Sequence, residues 1–123
     1  MKRKNNLLIV EDDVLNQKVY KAILSKDYEI KICGDDEKFY AALKENEYDL
    51  FIIDLSLNCE KNGLDLIREL REIEKYKDTP IIVVTGFVSI KDKEIAIAAG
   101  ATKFINKPFN MKTLLAEIKK YFI

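Results

Sequence analysis

Carboxylates, one hydroxyl and one amine recur in this chain where short apolar runs end. Leu7-Leu8-Ile9-Val10 leads into Glu11-Asp12-Asp13, and Leu50-Phe51-Ile52-Ile53 leads into Asp54. Ile81-Ile82-Val83-Val84 leads into Thr85-Gly86, and Ala101 to Ile105 into Asn106-Lys107-Pro108. The chain has no histidine, which excludes imidazole catalysis and His-held metals. Carboxylate chemistry remains. Glu11, Asp12 and Asp54 gathered against Lys107 leave an excess of negative charge, and like charges at close range resist ionisation. A hard divalent cation relieves that. Mg²⁺ suits carboxylate oxygens and keeps waters that a substrate phosphate can replace. Asp54 then has an oxygen with which to attack phosphorus and form an acyl phosphate. Phosphoryl transfer asks mainly for positioning and charge neutralisation. Lys107 and the metal supply the neutralisation, Thr85 a hydrogen bond, and Gly86 open space and a backbone N–H.

This chemistry requires the four runs to end along one edge. The first three runs are short, continuous and rich in branched side chains, the pattern of a strand buried on both faces of a sheet, and Ala101 to Ile105 reads as a further strand. Tyr28 to Cys33 alternates apolar with charged residues and reads as a strand near an edge. Helical spacing fills the intervals. Val14, Leu15, Val19, Ala22 and Ile23 mark the first helix, with Asp13 as its N-cap; Phe39, Ala42 and Leu43 follow the Gly34-Asp35-Asp36 turn and cap. Leu66, Ile67, Leu70 and Ile73 mark a third helix, after the Asn62-Gly63 turn and broken at Asp78-Thr79-Pro80. Ile95, Ala98 and Ala99 mark a fourth, opened by a Ser89/Asp92 capping box and stopped at Gly100. Met111, Leu114, Leu115, Ile118 and Phe122 mark the fifth, capped by Asn110. Strands alternating with helices predict a doubly wound α/β fold with a parallel sheet covered on both faces. The carboxyl ends of such strands share one edge, where open α/β sheets bind ligands.

At 123 residues the chain fits one domain, 1–123, ending with the fifth helix, and no output domain is expected in these residues. Lysine plus arginine and aspartate plus glutamate both total 21, so no charge footprint points to nucleic acid or an anionic membrane. No apolar run reaches the length of a membrane span, and only four apolar residues follow the basic N-terminus. The expected location is the cytoplasm. Cys33 and Cys59 are too few for a disulfide framework and read as inert.

Taken singly, each feature has a blander reading. Asp54 serves equally as a turn residue, Asp13 better as a cap than a ligand, Thr85-Gly86 as a turn, Lys107 as a solvated lysine and Phe104 as packing. Their occurrence in order at four strand ends favours the functional reading.

At these positions the sequence resembles the receiver domains of two-component response regulators, the chemotaxis regulator type in particular. The motifs are Leu8-Ile9-Val10-Glu11-Asp12-Asp13, Ile53-Asp54, Asn62-Gly63-Leu64-Asp65-Leu66, Val84-Thr85-Gly86 and Lys107-Pro108-Phe109. The resemblance spans nearly the whole chain. It implies a flavodoxin-like (βα)5 three-layer sandwich with strand order 2-1-3-4-5. It implies Asp54 as the phosphoryl acceptor and Asp12 as a direct Mg²⁺ ligand. Glu11 would hold metal-bound water, and the backbone carbonyl of Ser56 would be a further ligand. Thr85 and Lys107 become phosphoryl partners, Thr85 and Phe104 the switch pair, and the Lys107–Pro108 bond cis. Ser56 and Phe87 fall where the family tunes hydrolysis, and the bulk of Phe87 predicts slow dephosphorylation. A sensor histidine kinase or a histidine phosphotransfer protein would be the donor, with small phosphodonors such as acetyl phosphate as substitutes. The face built from the fourth helix, fifth strand and fifth helix would meet an output partner whose identity the sequence does not give. Neither nucleic acid nor membrane is an expected direct partner.

Departures from the pattern are specific. No proline follows Asp54 within Leu57-Asn58-Cys59-Glu60-Lys61, and the loop to Gly63 is one residue longer than in the chemotaxis type. Phe104 stands where tyrosine is commoner. Asn16-Gln17 resembles receivers fused to hybrid sensor kinases. Two rival readings follow. One is an unphosphorylated pseudo-receiver serving as an interaction module, against which the complete acidic, hydroxyl and lysine set argues. The other is a Mg²⁺-dependent phosphohydrolase, against which Asp54-Leu55-Ser56 argues by lacking a second aspartate. No independent substrate turnover is expected.

Overall fold

The computed structural model describes residues 4–55, 62–86 and 89–122. Its strands are β1 (Asn6–Val10), β2 (Glu29–Cys33), β3 (Leu50–Asp54), β4 (Ile81–Thr85) and β5 (Lys103–Asn106). Its helices are α1 (Val14–Leu24), α2 (Asp36–Glu45), α3 (Gly63–Glu72), α4 (Ile90–Ala99) and α5 (Met111–Lys119). All strand pairings are parallel, and the order is β2-β1-β3-β4-β5, as the resemblance implies.

Side chains alternate across the sheet with a period of two. Leu8, Val10, Phe51, Ile53, Ile81, Val83 and Phe104 face one core with Phe39 of α2, Leu66, Ile67 and Leu70 of α3 and Ala96 of α4. Leu7, Ile9, Leu50, Ile52, Ile82, Val84 and Ile105 face the other with Tyr20 and Leu24 of α1 and Leu114 and Ile118 of α5. Both faces of the central strands are thus covered, which is why their sequences are continuously apolar. Each such side chain contributes about 1.5–3 kcal/mol when fully buried. β2 lies at the sheet edge, in keeping with its alternating charge.

Local signals start and stop the helices. Asp13, Asp35 and Asn110 accept backbone N–H bonds as the N-caps of α1, α2 and α5. Ser89 and Asp92 form a reciprocal capping box at α4, and Gly100 ends that helix at φ 125°. Asn62 and Asp65 form a second box at α3, beginning that helix at Gly63.

Four expectations change. The first helix buries Tyr20 and Leu24, while Val14, Leu15 and Val19 are 59%, 70% and 46% exposed. Their spacing matched a helix, but the side turned to the sheet is the Tyr20/Leu24 stripe. Likewise α4 buries Ala96, one residue beyond Ile95; Ile95 and Ala98 are exposed. The third helix stops at Glu72, with Ile73 as C-cap and a 3-10 turn at Glu74–Tyr76, well before Pro80. Finally, β5 begins at Lys103, because Thr102 N bonds Ile81 O and Ala101 N still bonds Ala96 O at the end of α4. Among the described residues, no helix is long and apolar enough to cross a membrane.

Candidate functional site

Parallel pairing brings the strand ends together. Val10 is in register with Ile53, Asp54 with Val84, and Thr85 with Asn106. One residue past β1, Glu11 N still donates to Cys33 O (2.9 Å), and Lys107 N, past β5, donates to Thr85 O (2.8 Å). The backbone ladder therefore carries Glu11 and Lys107 to the edge where Asp54 and Thr85 end their strands.

Lys107 Nζ lies 2.9 Å from Glu11 Oε1 and 2.8 Å from Asp54 Oδ2. The Lys107 side chain is 22% exposed, that of Glu11 2% and that of Asp54 7%. The reading of Lys107 as a solvated lysine is thus excluded. Asp12 is exposed beside this pair, and one carboxylate oxygen from each of Glu11, Asp12 and Asp54 lies within 4.8 Å of the other two. These three carboxyl groups fit a hard divalent cation, which such oxygens suit.

The charges at the site leave a negative excess. Burial raises the Glu11 carboxyl, and the hydrogen bonds from Lys107 and Asp13 N only partly offset it. Burial lowers Lys107, yet its bonds to Asp54 and Glu11 outweigh that, so its ammonium is held charged. A single lysine thus leaves Glu11 resisting ionisation, and further positive charge at the site would relieve it.

Thr85 is buried (2% exposed) at the end of β4. Its side chain shares a sheet face with Val83, and Val83 is in register with Phe104 on β5. Phe104 is 9% exposed and packs in the core with Val83 and Ala96, so its ring is already turned inward. Gly86 is exposed, and a methyl group there would meet nothing within 4 Å, leaving open space next to Thr85. The Lys107–Pro108 peptide is cis. Asp13 caps α1 through Leu15 N. Ser56, Phe87, Cys59 and 57–61 lie outside the described residues.

Three features lay beyond the sequence reading. A cavity of about 490 Å³, lined in part by Val19, Tyr20, Gly86, Lys107 and Pro108, opens beside the carboxylates. Burial, with the negative charges of Glu11 and Asp54, pushes the Tyr20 phenol up. Gln17 Nε2 donates to Glu11 O at 2.6 Å. In the sequence Gln17 is marked only by its place beside Asn16, and nothing there shows what it touches.

A family model, the response regulator receiver domain, matches residues 7–119. The chain belongs to that family. Regulatory protein VanRB of Enterococcus faecalis is 32% identical over 113 residues, covering 92% of this chain and 50% of that protein. Transcriptional regulatory protein CpxR of Klebsiella pneumoniae is 31% identical, covering 94% of this chain and 48% of that protein. The chain thus spans about half the length of these curated relatives. It is also 32% identical to the Aerobic respiration control sensor protein ArcB of Escherichia coli, over 95% of this chain and 15% of that protein. Among solved structures, Vibrio cholerae chemotaxis protein CheY4 superposes with a TM-score of 0.87 at 28% identity, covering 97% of this chain and 99% of that one. The receiver fold, order and motifs therefore stand together, and the domain is a regulatory module of two-component signalling.

Proposed function

We propose that this receiver accepts a phosphoryl group on Asp54 and that acceptance changes the face built from α4, β5 and α5. The observation that carries this is the Lys107 ammonium bridging Glu11 and Asp54, with three carboxylate oxygens of Glu11, Asp12 and Asp54 within 4.8 Å of one another. Asp54 Oδ attacks phosphorus of a phosphohistidine whose other ring nitrogen carries a proton, an Asp54 O–P bond forms, the P–N bond breaks, and the electron pair leaves with a neutral imidazole. Lys107 sits next to the acceptor oxygen and balances the charge brought in. Asp12, Asp54 and the Ser56 carbonyl would hold Mg²⁺ directly and Glu11 through water. Bound there, the ion would neutralise phosphoryl oxygens and help orient the group. Gly86 leaves room for the phosphoryl oxygens, and Thr85 hydrogen-bonds one of them.

The switch is part of the same proposal. The acyl phosphate adds charge and acceptor oxygens at the end of β3. Thr85 moves toward it and draws the chain after β4. Phe104, packed inward beside Val83, is held there once Thr85 has moved. A local charge event thereby biases a two-state element. Residues 1–123 act as one receiver unit in the cytoplasm, fed by a sensor histidine kinase or a histidine phosphotransfer protein, and turn over no independent substrate.

The test is incubation with acetyl phosphate with and without Mg²⁺, followed by intact-mass analysis. Wild type gains one phosphoryl group only with the metal, and Asp54→Ala gains none. A Mg²⁺ titration without effect on the spectrum of the wild type would point instead to an unphosphorylated interaction module.

A further inference from the structure

Helix α1 reaches back to the acidic turn through one side chain. Gln17 Nε2 donates to the carbonyl oxygen of Glu11 at 2.6 Å. We propose that Gln17 is a positioning residue, fixing the peptide that joins Glu11 to Asp12 and so the direction in which the acidic turn presents its carboxylates. The part of this that concerns a metal rests on the function proposed above.

The β1–β3 register ends at Val10, so the Glu11 carbonyl has left that ladder. A carbonyl near the end of a buried strand needs a partner. Gln17 supplies one from six residues along the chain, which ties α1 to the turn that precedes it. The oxygen it holds belongs to the same planar group as the Asp12 N–H. Holding the oxygen fixes that plane, and with it the angle at which Asp12 departs. The rest of Glu11 is pinned from other directions. Its N–H bonds Cys33 O at the end of β2, Oε1 accepts from Lys107, and Oε2 accepts from Asp13 N (3.3 Å). Gly34, just after β2, closes on the same amide: a methyl group there would sit 3.4 Å from Gln17 Nε2. Chemical type matters as well. A carboxamide donates without adding charge, whereas lysine would place a cation where the carboxylates are to hold one.

Gln17→Met keeps the length, removes the donor and leaves the charge unchanged. In metal-free ¹⁵N–¹H spectra its Asp12 amide should move and exchange faster with solvent. The Mg²⁺ dissociation constant by NMR titration should rise about tenfold, the lower end of what losing an outer partner of a metal ligand costs. Gln17→Lys retains a donor, and its metal-free Asp12 amide should stay near the wild-type position. The proposal is overturned if Gln17→Met binds Mg²⁺ within twofold of wild type, if its Asp12 amide is unmoved, or if Gln17→Lys displaces that amide as far as Gln17→Met does. A wild type with no Mg²⁺ response overturns the proposed function instead, and the metal-free Asp12 amide then decides the positioning role by itself.

Discussion

Lys107 holds two carboxylates that are nearly closed to water, and its removal leaves both without their ammonium. Breaking a fully buried pair costs about 3–5 kcal/mol; the partial exposure of Lys107 lets water in, so about 1–3 kcal/mol is expected for Lys107→Met. The deficit should be largest at neutral pH and shrink as pH falls through the raised range of Glu11, because protonating that carboxyl removes the uncompensated charge. Urea unfolding at pH 7 and pH 4 measures it, and an equal deficit at both would detach it from these charges. Cys33 offers a second pH signature on the other side of neutrality. Burial pushes its thiol from the ordinary 9.0 to about 11. Because the folded value lies above the unfolded one, this contribution is fully present below pH 9 and is lost as pH rises through 11. Tyr20 and Tyr28 are raised too, so the informative quantity is the difference between wild type and Cys33→Val. Between pH 9 and 11 that difference should fall by no more than about 2–3 kcal/mol, at 1.36 kcal/mol per pKa unit.

At the scale of elements, α3 abuts the acceptor strand through a glycine. A methyl group at Gly63 would stand 2.6 Å from Asp54 O and 2.9 Å from Leu55 Cα, both backbone atoms that cannot turn aside. Gly63→Ala should cost about 1–3 kcal/mol and slow phosphorylation by shifting the end of β3. Asn62→Ala loses the capping box one residue earlier, should cost about 1 kcal/mol, and should leave the phosphorylation rate nearly unchanged. Denaturant curves and acetyl phosphate labelling of both variants separate the two effects. What was legible in the chain follows a similar division. The central strands were readable because covering both faces leaves an unbroken apolar run, and the gathering of Glu11, Asp54 and Lys107 was readable because each lies at the end of a strand. The buried faces of α1 and α4 were not. Val14, Leu15 and Ile90 are apolar yet exposed, and which stripe meets the sheet depends on how the helix is seated. For the same reason the contact of Gln17 with Glu11 and the cavity beside Lys107 had no signature in the sequence: both arise from the placement of α1.

Across the whole molecule, Arg71 ties together the pole away from the carboxylates. Its Nε donates to Gly100 O (2.9 Å) at the end of α4, and one terminal nitrogen donates to Tyr76 O (2.8 Å) and Thr79 O (2.7 Å) ahead of β4. The other reaches Thr102 Oγ1 (3.3 Å), which also accepts from Ile81 N. Arg71→Ala leaves these carbonyls short of a donor and should cost about 2–4 kcal/mol, below the sum of about 1–3 kcal/mol for each fully buried group, because these carbonyls are part-buried and water can reach them. It should still label at Asp54, because stability at this pole and chemistry at the other rest on different residues. Chemical denaturation followed by labelling under native conditions tests the separation. The proposed function turns on which atom receives the phosphoryl group, and the direct measurement is peptide mapping after acetyl phosphate and Mg²⁺, with borohydride reduction to mark the acyl phosphate. The predicted result is a single modified residue, Asp54, absent from Asp54→Ala; modification at another residue, or equal labelling of Asp54→Ala, would contradict it.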